Sequence, residues 1–301
     1  MNSKPRVAII GATGMVGRAF LTVLEEERFP AGEYALFASA RSAGSILRFQ
    51  GREYVVRELN EQSFDSGFDI ALFSAGGETS SKFAPIAADR GCVVIDNSSA
   101  WRMDPAVPLV VPEVNPDDVW RHRGIIANPN CNVIPATVAL KPLYDAYGIR
   151  RIVCSTYQAV SGAGVKGWED LENGYTREEM KLVNETRKIL GDASLRITAT
   201  AVRVPVFIGH STAVSAELLR PFDMAELKEK LARFPGLVLQ DDVQNNVYPT
   251  PLSVSGRNEV FVGRARRDES VENGVNLWVV ADNVRKGAAT NAVQIARLLL
   301  N

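Results

Sequence analysis

Net charge is almost absent: 34 basic and 35 acidic side chains leave a formal charge of -1, so no long-range field draws in nucleic acid or an anionic membrane. An anionic substrate has to be held by a few local cations. Cysteine is scarce too. Cys92, Cys131 and Cys154 are 3 in all, an odd number with neither metal-ligand spacing nor a disulfide framework, which predicts reduced thiols and no metal site. With only 2 histidines, His122 and His210, any imidazole chemistry falls to one of them. No apolar run is long enough to span a bilayer. The N-terminal residues lack the basic start, apolar core and small-residue cleavage site of a signal peptide, so a cytoplasmic protein is expected. Apolar residues, in contrast, make up 46% of the 301 positions, enough for a sizeable core in two domains or in one large domain with an insertion.

Short apolar runs at 7–10, 34–37, 70–73 and 93–95 alternate with helix-like stretches, which predicts a parallel sheet covered by helices. A second section begins near Cys131, with a helix over 132–147 and a strand over 151–158. From 197 to 281 strands dominate, at 198–204, 212–218, 260–266 and 277–280, with one helix at 224–233. That order predicts an α+β domain with a mixed or antiparallel sheet. The final helix, about 288–300, follows a Lys-Gly turn and has apolar spacing suited to packing back on the first domain.

The first strand runs into Gly11-Ala12-Thr13-Gly14-Met15-Val16-Gly17 and then a helix. Glycines there let the backbone turn sharply and approach a pyrophosphate, whose charge the helix N-terminus stabilises. A plain strand-to-helix turn is the alternative. NAD sites place a carboxylate near the end of the second strand, whereas this one ends Ala38-Ser39-Ala40-Arg41-Ser42. Arg41 between two hydroxyls suits the 2′-phosphate of NADP, or is simply a solvated loop cation.

Ile125-Ile126-Ala127-Asn128-Pro129-Asn130-Cys131 is an apolar strand ending in a polar turn. A cysteine entering a helix gains thiolate character from the macrodipole and the orphan N–H groups, so Cys131 is the nucleophile candidate. Cys92 and Cys154 lie within apolar strands and suit packing. A cysteine nucleophile needs a proton-handling partner. His122, in Trp120-Arg121-His122-Arg123, reads as a surface loop. His210 follows Pro205-Val206-Phe207-Ile208-Gly209, read as the end of an apolar strand, and is the favoured base, with a hydrogen-bonded structural histidine as the alternative. Several cations recur near these elements. Arg102 follows Asp96-Asn97-Ser98-Ser99 at a strand end, Arg203 precedes His210, and Lys181 shares a helix face with Glu178 after the capping-box pattern Thr176-Arg177-Glu178-Glu179. Each alone reads as a surface ion; together they suit a dianionic substrate.

These residues, in this order, resemble the aspartate-semialdehyde dehydrogenase family along nearly the whole chain. The matching stretches are 11–17, 74–77, 94–99, 108–115, 128–131, 158–164, 173–188, 203–210 and 283–295. The resemblance implies an NADP-binding α/β Rossmann domain at 1–130 and 284–301. It also implies an α+β catalytic and dimerisation domain at 131–283 with a mixed sheet, similar to that of glyceraldehyde-3-phosphate dehydrogenase, and a homodimer. The reaction implied is reduction of aspartyl 4-phosphate by NADPH through a cysteine thioester. By the same resemblance Cys131 is the nucleophile, His210 the acid/base and Gln158 an orienting group. Arg203 would hold the substrate α-carboxylate, Glu178 its amino end, and Arg102 with Lys181 the phosphoryl group. Cofactor contacts are expected from Gly11, Thr13, Gly14, Met15, Val16, Ser39, Arg41, Ser42, Gly76, Ser161, Gly162, Asn283 and the turn through Gly164.

The chain departs from the family's pattern at Met103, where some relatives carry asparagine, and at Asn132-Val133, where many carry small hydroxyl residues. Between Gly164 and Asn173 only residues 165–172 bridge a segment that is usually a few tens of residues longer, which predicts a more easily dissociated dimer. Another acyl-phosphate reductase, such as an N-acetylglutamyl-phosphate reductase, and a cofactor-binding relative without catalysis are the competing readings.

Overall fold

The computed structural model describes residues 4–162 and 177–300, so the bridge at 165–172, Gly164 and the cap at Thr176 lie outside the described residues. The chain divides into two compact units, Met1–Pro129 with Ala288–Asn301, and Asn130–Gly287.

In the first unit β1 (Arg6–Ile10) leads into α1 (Met15–Glu26) and β2 (Glu33–Ala38). A hairpin of β3 (Ile46–Phe49) and β4 (Arg52–Val55) follows, then β5 (Arg57–Glu58), β6 (Ile70–Phe73), α2 (Gly77–Asp89), β7 (Val93–Asp96) and β8 (Ile125–Ala127). The sheet runs β5-β2-β1-β6-β7-β8, with every pairing parallel. Its strands are apolar on both faces because helices cover both. Phe20, Val23 and Leu24 of α1 pack with Val7, Ile9 and Leu72 of the sheet and with Ala292, Val293 and Ile295 from the C-terminal helix.

In the second unit α3 (Val133–Tyr147) precedes β9 (Ile149–Gln158), α4 (Arg177–Leu190), β10 (Arg196–Arg203), β11 (His210–Leu218) and α5 (Met224–Arg233). Then come β12 (Leu237–Leu239), the short α6 (Pro251–Val254), β13 (Val260–Asp268) and β14 (Gly274–Ala281). The six-stranded sheet runs β10-β9-β11-β14-β13-β12, mixing parallel pairs at both edges with antiparallel pairs between. Alternation along β9 buries Ile152, Cys154, Thr156 and Gln158 on the face that carries α3, an almost wholly buried helix. The opposite face presents small and aromatic residues, including Ala213, Ser215 and the ring pair Tyr157–Trp278, whose centroids are 5.6 Å apart. A π-helical turn, Arg285–Ala289, returns the chain to the first unit, where α7 (Thr290–Leu298) completes the core.

Two local expectations are corrected. Residues 205–208 form no strand: Pro205 has no N–H to donate and Gly209 adopts φ +97°, so the chain bends and His210 opens β11. Cys92 sits in the turn before β7, not within a strand, yet it is buried.

Candidate active site

In the first unit the loops of interest share one edge, the carboxyl ends of the parallel strands, where open α/β sheets bind ligands beside the point at which strand order reverses. After β1, Gly11 takes φ +81°, and a Cβ there would lie 2.2 Å from the Ser74 carbonyl oxygen. At Gly17 a Cβ would lie 2.1 Å from the Gly11 carbonyl oxygen. Only glycine allows both the turn and the close seat of α1. Gly14 stands at the N-cap of α1 without a side-chain cap, so Met15 and Val16 open the helix behind a bare turn that includes Thr13. Gly76, with φ +86° and nothing within 4 Å of its virtual Cβ, leaves open space before α2. After β2, Ser39 leads a tight turn over Ala40–Ser42, and Arg41 is exposed there. The residues present therefore fit a dinucleotide with a further phosphate: a bare helix start at Gly14, open space at Gly76, and an exposed cation on the turn after β2.

At the end of β7, Asp96 is buried, and burial raises its pKa against the opposing pull of Ser98, Ser80 and Arg102. Arg102 is buried as well. Its Nε donates to the Asn128 carbonyl and its Nη2 to the Asn97 carbonyl, each at 2.9 Å. Asn128 is fully committed: its Nδ2 donates to Asn97 Oδ1 (2.7 Å) and to the Ala288 carbonyl (3.1 Å), while its Oδ1 accepts from Asn291 Nδ2 (2.8 Å). The strand end that precedes the nucleophile candidate is thus anchored by a buried hydrogen-bond network around Asn128, which fixes geometry more firmly than any one contact.

The second unit begins with that candidate. Cys131 lies in the turn that opens α3, where Val133 and Ile134 donate their N–H groups to the Asn130 carbonyl. Asn130 Oδ1 accepts from Asn132 N–H at 2.9 Å, closing a side-chain-to-backbone turn around Cys131. Asn130 Nδ2 donates to Glu178 Oε2 at 3.0 Å, and Glu178 pairs through Oε1 with Lys181 Nζ at 2.5 Å. Burial works to raise the Glu178 pKa, but Lys181, Asn130 and Arg203 together hold it below the usual carboxylate range. On another side of the turn, Gly287 sits so close that a Cβ would be 3.1 Å from Cys131 Cβ, and its neighbour Lys286 is completely buried. The other two thiols are poor nucleophiles, because burial pushes Cys92 and Cys154 up to about 12.

His210 is buried, and its Nδ1 accepts from Ala159 N–H at 3.0 Å. An amide N–H only donates, so the neutral ring carries its proton on Nε2, a buried atom with no hydrogen-bond partner among the described residues. Burial, then the nearby charge of Arg203, lowers the His210 pKa to about 4, against a smaller upward pull from Glu178 and the Gly209 carbonyl. Arg203, opposite Gln158 in the β9–β10 register, donates from Nη1 to the Ala159 carbonyl at 3.0 Å. Gln158 is buried and donates to Thr156 Oγ1 at 3.2 Å. Asn283 ties the loops together, accepting from Gly209 N–H (2.9 Å) and donating to Ser161 Oγ (3.0 Å) in the turn Val160–Gly162. His122, the other imidazole, is half-buried and accepts from Gly124 N–H through Nδ1 at 3.0 Å, with its pKa lowered by burial.

The second unit therefore gathers Cys131, Glu178, Lys181, Arg203, His210 and Gln158 around one turn, one helix face and adjoining strand ends, while Arg102 and the glycine loop belong to the first. Asn128, Asn130, Glu185 and Gly287 contribute without having been singled out from sequence. Asn128 and Asn130 stood in the polar turn, and Glu185 lies two helical turns beyond Glu178. Among the described residues no group of three or more His, Cys, Asp or Glu is placed to hold a metal ion, and no helix is long and apolar enough to cross a membrane.

A model of the semialdehyde dehydrogenase NAD binding domain matches residues 6–122, and one of the semialdehyde dehydrogenase dimerisation domain matches 140–173 and 168–286. The aspartate-semialdehyde dehydrogenase of Aquifex aeolicus is 54% identical over 332 residues, covering 98% of each chain. The crystal structure of aspartate semialdehyde dehydrogenase II from Vibrio cholerae complexed with ASA superposes with a TM-score of 0.92 at 47% identity, covering 99% of each chain. That of Candida albicans aspartate semialdehyde dehydrogenase with NADP does so at 0.81 and 26% identity, again over 99% of each. The chain belongs to the aspartate-semialdehyde dehydrogenase family.

Proposed function

We propose that this chain reduces L-aspartyl 4-phosphate to L-aspartate 4-semialdehyde with NADPH, through a thioester on Cys131. The observation that carries the reading is the turn at Cys131, held at the start of α3 by Asn130 and Glu178 within the same group as Lys181, Arg203 and His210. The loop at Gly11, Thr13, Gly14, Met15 and Val16, with Gly76, holds the pyrophosphate region of NADP, and Ser39, Arg41 and Ser42 its 2′-phosphate. Ser161 and Gly162 complete the site at the nicotinamide end. Asn283 acts there indirectly, by fixing Ser161 and Gly209.

The thiolate of Cys131 attacks the acyl carbon of aspartyl phosphate, the carbon–oxygen bond to phosphate breaks, and phosphate departs with that electron pair. Arg102 and Lys181 bind the departing group. Arg203 takes the α-carboxylate with a planar, two-pronged fit and Glu178 the ammonium group, so the acyl carbon is set at the thiol, with Gln158 packed beneath. NADPH, when bound, supplies the hydride that the thioester carbon requires. The tetrahedral alkoxide then re-forms its C=O bond and expels the Cys131 thiolate, releasing the aldehyde. His210 donates from Nε2 to the alkoxide oxygen as its charge develops.

A second copy of the chain packs on the sheet face that bears Tyr157, Ala213, Ser215 and Trp278, making a homodimer. Nucleic acid and membranes play no part, and the setting is the cytoplasm. The test is NADP reduction by the purified protein in the presence of aspartate semialdehyde and phosphate. NADPH formation that requires both is expected; none, or a preference for N-acetylglutamate semialdehyde, overturns the proposal.

A further inference from the structure

The same helix that supplies Glu178 and Lys181 also sends a carboxylate toward the nucleophile's turn. Glu185 is almost completely buried, 1% exposed, and its Oε2 accepts the backbone N–H of Asn130 at 2.7 Å. Residues 178, 181 and 185 follow the i, i+3, i+7 spacing of one helix face. Asn130 is therefore held twice by α4, through its side chain at Glu178 and through its backbone at Glu185. Its remaining contacts close the turn: Oδ1 to Asn132 N–H and the carbonyl to Val133 and Ile134 N–H. The two grips hold different groups of Asn130, the Pro129–Asn130 peptide and the side-chain amide.

We infer that Glu185 is a positioning residue for the nucleophile: by accepting the Asn130 N–H it fixes the Pro129–Asn130 peptide, immediately before the residue that presents its thiol at the N-terminus of α3. Transfer of a carboxylate from water is costly unless hydrogen bonds recover the loss, and a solvated helix face would hold a glutamate at less cost. The turn needs this acceptor because the Asn130 carbonyl and side chain are already committed, leaving the N–H as the last polar backbone group of the residue before the thiol. The inference rests on Cys131 being the reacting thiol. Its test accordingly includes a readout on that sulfur which needs no turnover.

The experiment compares Glu185→Ala and Glu185→Gln in the full-length protein. It measures kcat and KM for aspartate semialdehyde and phosphate, NADP binding, and the rate of Cys131 alkylation by iodoacetamide across pH. In Glu185→Ala, kcat is expected to fall about 10- to 100-fold, the worth of one hydrogen bond to a charged group. KM values and NADP affinity should stay within about threefold, and the alkylation profile should be displaced along the pH axis because the thiol has moved relative to the helix start. In Glu185→Gln, whose amide oxygen can accept the same N–H, both kcat and the alkylation profile should return most of the way. A Glu185→Ala protein with unchanged kcat and alkylation profile overturns the inference. So does a Glu185→Gln protein as impaired as the alanine variant, since the loss would then follow charge rather than the acceptor. Should the unmutated protein fail to reduce NADP at all, the reaction is wrong, whereas the alkylation comparison still decides the role of Glu185.

Discussion

At the scale of single residues, His210 links stability to pH. Its pKa falls from 6.5 to about 4, so below pH 6.5 the unfolded chain takes up a proton that the folded ring refuses. The stability contributed by the neutral ring is whole above pH 6.5 and is lost progressively as pH drops toward 4. The full difference is about 3 kcal/mol. Urea unfolding followed between pH 7 and pH 4 should show that loss in the unmutated protein and a flatter profile in His210→Asn, whose turnover should also fall by about 10²- to 10³-fold, as for a lost oxyanion donor. Parallel pH profiles would say that the ring is not the titrating group. Residue by residue, the candidates stood out where a side chain is rare or its neighbours unusual: Cys131 in a polar turn at a helix start, His210 beside a glycine. Glu185 was not, because a glutamate on a charged helical segment has the same local pattern whether it faces water or a buried N–H. The tautomer of His210 was equally invisible, since it depends on the Ala159 N–H, far away in the chain.

In the proposed function, the turn after β2 carries the choice between cofactors. Arg41 is exposed on a tight turn, so Arg41→Ala should leave NAD affinity nearly unchanged and weaken NADP by about 1.5–3 kcal/mol, the range of a charge-assisted hydrogen bond. Calorimetric titration with each cofactor decides it. An unaltered NADP preference would place the 2′-phosphate elsewhere. Elements with strong periodicity were readable in advance, among them the alternating β9 and β11 and the amphipathic α5. The stretch 205–208 was misread because its run of apolar residues has strand composition. Pro205 and Gly209 instead bend it, leaving Phe207 largely exposed. Composition without alternation does not separate a strand from an apolar loop.

For the whole molecule, the alternation of apolar runs with helices pointed to the parallel sheet, and the change to successive strands pointed to a mixed one. What no local pattern could reveal is the anchoring of the nucleophile's strand end. Asn128 is joined to Asn97, Ala288 and Asn291, residues separated widely along the chain. Asn128 before the turn and Asn130 within it are thus each held by several hydrogen bonds. The most direct test withholds phosphate. With aspartate semialdehyde and NADP alone, the aldehyde carbon bonds to the Cys131 sulfur and gives up hydride, and the acyl group has no phosphate to accept it. One NADPH per active site should then form in a burst, and acid quenching followed by peptide mass analysis should find the aspartyl group on the peptide that contains Cys131. A burst without that adduct, or an adduct on Cys92 or Cys154, would contradict the thioester account.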